Sequence, residues 1–180
     1  VSNKAILVPT AHDEPPLKAK FFDYFFSQPA MLAFNTSSEK ALVVDRTSSP
    51  IKGSAIIGLG FELPTSPPHV SNSPPRLPAN YILYLGRIQP EKGCDELIKY
   101  YISLPEKLRK AFPLVLAGTP NMVIPESTDI ICTGFIKDES VKFNILSKAT
   151  LIVLPSLFES LSMVIMESWL SDVPVLVNGN

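Results

Sequence analysis

Little in this chain of 180 residues points to a membrane span, a metal or a nucleic acid. No run approaches the roughly eighteen apolar residues of a membrane-crossing helix, and no signal peptide is expected from the residues that follow Val1. Lys and Arg number 16 against 17 Asp and Glu, a net charge of −1, so no basic excess draws in a polyanion and no nucleic-acid partner is expected. The two cysteines, Cys94 and Cys132, fall in unrelated segments without metal-ligand spacing and fit reduced thiols of a cytosolic protein. Neither the Walker pattern nor Gly-x-Gly-x-x-Gly occurs, which takes support from nucleoside triphosphatase and dinucleotide readings. No internal repeat is evident.

What the chain does have is apolar material and alternation. Hydrophobic residues make up 46%, enough for a sizeable core in one or two domains. The patterning predicts strands at 4–10, 30–35, 54–58, 81–86, 113–117, 129–133, 150–154 and 173–177. Between them it predicts helices at 17–27, 37–45, 91–103, 105–111, 138–148 and 162–171. Strands alternating with helices imply a parallel α/β architecture. The Pro- and Ser-rich stretch 63–78 sustains neither a helix nor an inner strand and marks a linker. Five aromatics, Phe21, Phe22, Tyr24, Phe25 and Phe26, fill more than one face of the first helix, as in a helix wedged between a sheet and another element.

Two strand-to-helix loops carry the chemistry. In the first, Phe158-Glu159-Ser160-Leu161-Ser162 runs from the buried strand Leu151-Ile152-Val153-Leu154 into a helix holding Glu167, with Ser160 or Ser162 as N-cap. Helix N-termini offer unpaired N–H groups to a phosphate, whereas a carboxylate ahead of one suits hydroxyl donors, as on a sugar. The turn is shaped for a nucleotide sugar. The plainer alternatives are that Glu159 only complements the helix dipole and that Glu167 is a solvated mid-helix residue. In the second loop, Gly86-Arg87-Ile88-Gln89-Pro90-Glu91-Lys92-Gly93 follows a buried strand. A planar fork and a point charge five residues apart suit a diphosphate; the alternative is an ordinary solvated loop.

These segments, with Ala117-Gly118, Thr133-Gly134-Phe135-Ile136 and Asp172-Val173-Pro174-Val175-Leu176 in the same order, resemble the retaining, GT-B-fold "group 1" glycosyltransferases. The likeness covers roughly the second half of the chain. It implies a metal-independent enzyme, in keeping with the lack of an Asp-x-Asp motif, that moves a sugar from a nucleotide diphosphate to an acceptor hydroxyl with retention. Carried over by motif, Gly86, Arg87, Lys92 and Ser162 hold the donor diphosphate. Glu159, Ser160 and Leu161 meet the sugar, Glu167 the ribose, and Gly134, Phe135 and Ile136 the base. Where the family often has Glu-Gly-Phe-Gly, this chain has Glu159-Ser160-Leu161-Ser162, a less free backbone. No cofactor beyond the nucleotide-sugar donor is implied, the acceptor is open (glycan, lipid-linked or small molecule), and no protein nucleophile is assigned. A nucleotide-binding α/β module without transferase activity is the alternative.

The first sixty residues resemble the family's acceptor-side domain more loosely. His12 follows a predicted strand, ahead of Asp13 and Glu14, where members carry a histidine approaching the transferred sugar; with Glu159 it is the expected catalytic pair. The alternative is a loop histidine bonded to its neighbours. The expected organisation is an acceptor-side Rossmann-like portion at 1–62, a linker at 63–80 and a truncated donor-binding domain at 81–180, the nucleotide cleft lying between the two domains. The missing initiator Met and the ending at Asn180 suggest a fragment of a longer protein. A cytoplasmic location, with possible peripheral placement at the inner membrane surface in polysaccharide biosynthesis, completes the expectations.

Overall fold

The computed structural model describes residues 4–60, 75–159 and 161–178. It divides into two compact units, one of Val1–Glu62 with Phe158–Ser162, the other of Leu63–Leu157 with Met163–Asn180. Most of the expected linker, residues 61–74, lies outside the described residues, as does Ser160.

The first unit holds β1 (Ile6–Leu7), α1 (Lys20–Ser27), β2 (Met31–Phe34), α2 (Ser37–Arg46) and β3 (Ser54–Ile56), with a short 3-10 turn at Pro15–Lys18. Its sheet is parallel in the order β1-β2-β3. Phe26, Leu32, Phe34 and Val43 are buried in its core. β1 is far shorter than the expected 4–10: Pro9 has no N–H to give a ladder, and Thr10 takes a left-handed φ of 48° that turns the chain away. The expected helix 17–27 is divided, because Ala19 is extended (φ −74°, ψ 135°) between the 3-10 turn and α1. Within the aromatic helix Phe26 faces the core, whereas Phe21 and Tyr24 are exposed.

The second unit runs β4 (Ile82–Leu85), α3 (Cys94–Ser103), α4 (Glu106–Ala111), β5 (Leu114–Ala117), β6 (Ile130–Gly134), α5 (Glu139–Ser147), β7 (Leu151–Leu154), α6 (Met163–Leu170) and β8 (Val175–Val177). All five strands are parallel, in the order β6-β5-β4-β7-β8. Both faces are covered, so the strands are near-continuous apolar runs rather than alternating ones. Leu83, Val115 and Ile152 point into the layer beneath α5, and Tyr84, Leu114 and Leu116 into the layer beneath α3. The expected helix 91–103 begins later, at Cys94. Pro90–Lys92 forms a 3-10 turn, and Gly93 takes the left-handed φ of 73° between the two. No helix among the described residues is long and apolar enough to cross a membrane.

Candidate functional site at the strand ends

Chain order and strand order together fix a crevice. From β4 the chain steps outward to β5 and β6, then returns through α5 to β7 on the other side of β4. The order reverses between β4 and β7, and the carboxyl ends of the strands at such a reversal are where open α/β sheets take ligands. The loop holding Arg87 and Lys92 leaves β4 at that point, and the Pro155–Leu157 exit leaves β7 there.

The strand ends are laced into one surface. The Gly86 N–H donates to the Ala117 carbonyl and the Gly118 N–H to the Gly134 carbonyl, each at 3.0 Å. Farther out, the Ile88 N–H donates to the Thr119 carbonyl at 3.1 Å, while the Ile88 carbonyl accepts from Asn121 N–H at 2.8 Å. Gly118 sits at φ 156°, and a Cβ there would overlap the Gly86 carbonyl oxygen. Gly93 is tight in the same way, since a Cβ would lie 2.8 Å from the Pro155 carbonyl oxygen. Two glycines thus let the β4 loop seat against its neighbours on both sides. The hydroxyl of Tyr84 donates to the Arg87 carbonyl at 2.7 Å, fixing the first residue of the loop. The Arg87 side chain is exposed and makes no ion pair among the described residues; Lys92 is half-buried. The Gly86 N–H is spent on Ala117 and is not left as an amide donor.

At the end of β6 an open cavity of about 650 Å³ is lined by Thr133, Phe135, Ile136, Asp138 and Val141 among others. Phe135 is 74% exposed, so its ring is presented rather than packed. Asp138 caps α5, accepting from the N–H groups of Ser140 (2.8 Å) and Val141 (3.3 Å). The bond from the Ser140 hydroxyl, then these two amide bonds, holds its carboxyl below the usual range.

Glu167 is not the solvated mid-helix residue that its position allows. Its carboxylate is largely buried on α6 and accepts from Lys142 Nζ of α5 at 3.0 Å. Lys142 also pairs with Glu139 one turn earlier. Burial pushes the Lys142 ammonium down, but its bonds to the two carboxylates outweigh that, and its pKa is raised.

The first unit brings a second set of groups together. His12 Nε2 is hydrogen-bonded to Glu14, and Nδ1 lies 3.4 Å from the Thr10 carbonyl. This local bonding is the pattern of the plainer reading of His12. Beside it, Glu39 is 3% exposed and accepts from the Ala11 N–H at 2.8 Å and the Asn35 N–H at 2.7 Å. Thr36 caps α2 by accepting from the Glu39 N–H at 3.0 Å. Glu159 and Phe158 group with this unit; Glu159 is exposed, Leu161 and Ser162 are half-buried, and the Phe158 ring centre lies 6.4 Å from that of His12. Among the described residues no cluster of His, Cys, Asp or Glu is placed to hold a metal ion.

Three of these groups were not singled out from sequence. Tyr84 lies in the predicted strand 81–86, where an apolar run gives its hydroxyl no signal. Glu39 had a signal, since Thr-x-x-Glu before a helix spells a capping box. Lys142 had none, because its partner on α6 lies 25 residues away.

Residues 69–179 match the family model for glycosyl transferases group 1. The O-antigen chain mannosyltransferase B of Escherichia coli is 28% identical over 109 residues, which cover 55% of this chain and 28% of that protein. The serotype-specific mannosyltransferase WbdA of Escherichia coli is 33% identical over 96 residues, 47% of this chain and 12% of that protein. The chain therefore spans less than a third of the length of either curated relative. Among solved structures, the pneumococcal O-GlcNAc transferase GtfA in complex with UDP and GlcNAc aligns with a TM-score of 0.69 at 14% identity, covering 97% of this chain and 37% of that one. WaaG, a glycosyltransferase involved in lipopolysaccharide biosynthesis, aligns at 0.64 with 19% identity, covering 84% and 45%. At such identities the structural likeness speaks for the fold, which is of GT-B type.

Proposed function

The chain belongs to the group 1 glycosyl transferases, and from that premise we propose that it carries the donor side of a retaining, metal-independent transferase. A sugar passes from a nucleotide diphosphate to an acceptor hydroxyl with its anomeric configuration kept. The observation that carries the reading is the β4 loop: a glycine-seated backbone presenting Arg87 and Lys92 where the strand order reverses.

Departure of the nucleotide diphosphate builds negative charge on its phosphate oxygens while the sugar becomes oxocarbenium-like. The Arg87 guanidinium grips those oxygens as a planar fork, Lys92 adds a compact cation, and the start of α6 at Ser162 adds its N–H groups. Charge that develops only on departure is stabilised most in the transition state, which raises turnover rather than mere binding. Glu159, with Ser160 and Leu161, accepts from the sugar hydroxyls and Glu167 from the ribose. Phe135 offers a ring face to the base beside Gly134 and Ile136. His12, hydrogen-bonded to Glu14, acts near the transferred sugar.

The test is calorimetric titration of the protein with nucleoside diphosphates and their sugars. Both curated relatives are mannosyltransferases, so mannosyl nucleotides lead the panel. Arg87→Ala should weaken diphosphate binding by about 1.5–3 kcal/mol, roughly ten- to a hundredfold, while nucleoside binding holds. Glu159→Gln should lower transfer with free nucleotide diphosphate affinity nearly intact. Wild type binding none of the panel at millimolar concentration would overturn the transferase reading in favour of a module without activity.

A further inference from the structure

We propose that Lys142 is a positioning residue that sets the Glu167 carboxylate for the ribose and so makes the site select ribonucleotides. The inference rests on the reading of Glu167 as the ribose acceptor and adds the device that holds it.

The geometry is specific to that task. Lys142 Nζ sits 3.0 Å from Glu167 Oε1 with both side chains largely buried, at 18% and 16% exposure. One carboxylate oxygen is thereby tied, while Oε2 makes no hydrogen bond with a described residue. A carboxylate gripped on one side cannot rotate freely, and its second oxygen keeps a fixed direction in which to accept a hydroxyl.

Lys142 already has a partner in Glu139 on its own helix, and that glutamate is 81% exposed. The excess negative charge of the trio therefore sits on solvated Glu139, and the buried pair is Lys142 with Glu167, tied through Oε1 while Oε2 keeps its capacity to accept. The placement also links two parts of the candidate site. Lys142 stands one turn into α5, whose first residues and cap line the cavity at the end of β6, and it reaches across to the middle of α6. Lys142 thus ties the helix that follows the base-side loop to the helix that carries Glu167.

The experiment compares guanosine and uridine diphosphates with their 2′-deoxy and 3′-deoxy forms by calorimetry on the protein. The quantity read is the ratio of ribo to deoxy affinity. Wild type should favour the ribo form by about tenfold or more, as expected for loss of a charge-assisted hydrogen bond. Lys142→Met should bring the ratio close to that of Glu167→Gln, and the double variant should lose nothing further, as for residues acting through one contact. Lys142→Arg should restore part of the ratio, and Glu139→Gln should leave it at the wild-type value. If Lys142→Met does not fold, Lys142→Gln takes its place with the same expected fall. A purely structural lysine would lower thermal stability and leave the ratio untouched. A wild-type ratio in the Lys142 variants together with a collapsed ratio in Glu167→Gln would overturn this inference and keep the role of Glu167. A wild-type ratio in Glu167→Gln, or no binding of any diphosphate, would remove the role of Glu167 and the inference with it.

Discussion

Tyr81 shows how one hydroxyl joins the sheet to a helix. It stands just ahead of β4, is 1% exposed, and its hydroxyl donates to the Ile145 carbonyl near the end of α5. Burial pushes its pKa from the ordinary 10 up to about 12. The neutral phenol is thus the native form, and its contribution to stability is complete below pH 10. As the pH climbs from 10 toward 12 the unfolded chain ionises first, and that contribution is lost. Tyr81→Phe should therefore cost about 0.5–1.5 kcal/mol at neutral pH and shed part of the alkaline fall. Urea denaturation at a series of pH values reads both; an unchanged alkaline slope would count against the raised pKa. At this scale the sequence disclosed the residues of loops with local logic, such as Arg87 and Lys92 between two glycines. It did not disclose partnerships made by packing. Glu39 meets Ala11 across 28 residues and Glu167 meets Lys142 across 25, distances over which no periodicity speaks.

Elements were legible wherever a buried strand is a short apolar run. β4, β5 and β7 lie inside the predicted spans because their flanks carry turn residues and both their faces are covered. β1 was overextended, since Pro9 and the left-handed Thr10 end a ladder that hydrophobicity alone would prolong. The loop after β4 depends on a glycine from another element. Gly118, at the end of β5, lies so close that any Cβ would push on the Gly86 carbonyl, and its φ of 156° disfavours a side chain in any case. Gly118→Ala should destabilise the protein by more than about 1 kcal/mol. It should also weaken nucleotide diphosphate binding, because the peptide before Arg87 must shift. Denaturation midpoints and diphosphate titration together test this. Wild-type stability with wild-type affinity would show that the strand ends are not laced as tightly as the geometry requires.

The two units differ in how much they can resist opening. In the second, five parallel strands are covered on both faces, and Leu83, Val115, Leu116 and Ile152 are fully buried. In the first, three strands of two to four residues form the sheet, and Ile6 and Ile56 in its outer strands stay more than half exposed. Alternation of strand and helix made the parallel α/β class readable from sequence, and the ordered motifs made the family readable. Relative robustness was not, because it depends on which apolar residues are actually covered. Local opening follows buried contacts and backbone bonds. Amide hydrogen exchange should accordingly find β4, β5 and β7 the most protected, with β1 and β3 exchanging through smaller openings. Adding a saturating nucleoside diphosphate should slow exchange at the ends of β4 and β6, around Arg87 and Phe135, and leave β3 unchanged, since a ligand stabilises the contacts it requires. Equal protection of both sheets would show that they open as one cooperative unit. A diphosphate effect confined to β1 to β3 would place the nucleotide in the other unit and remove the donor role from the β4 loop.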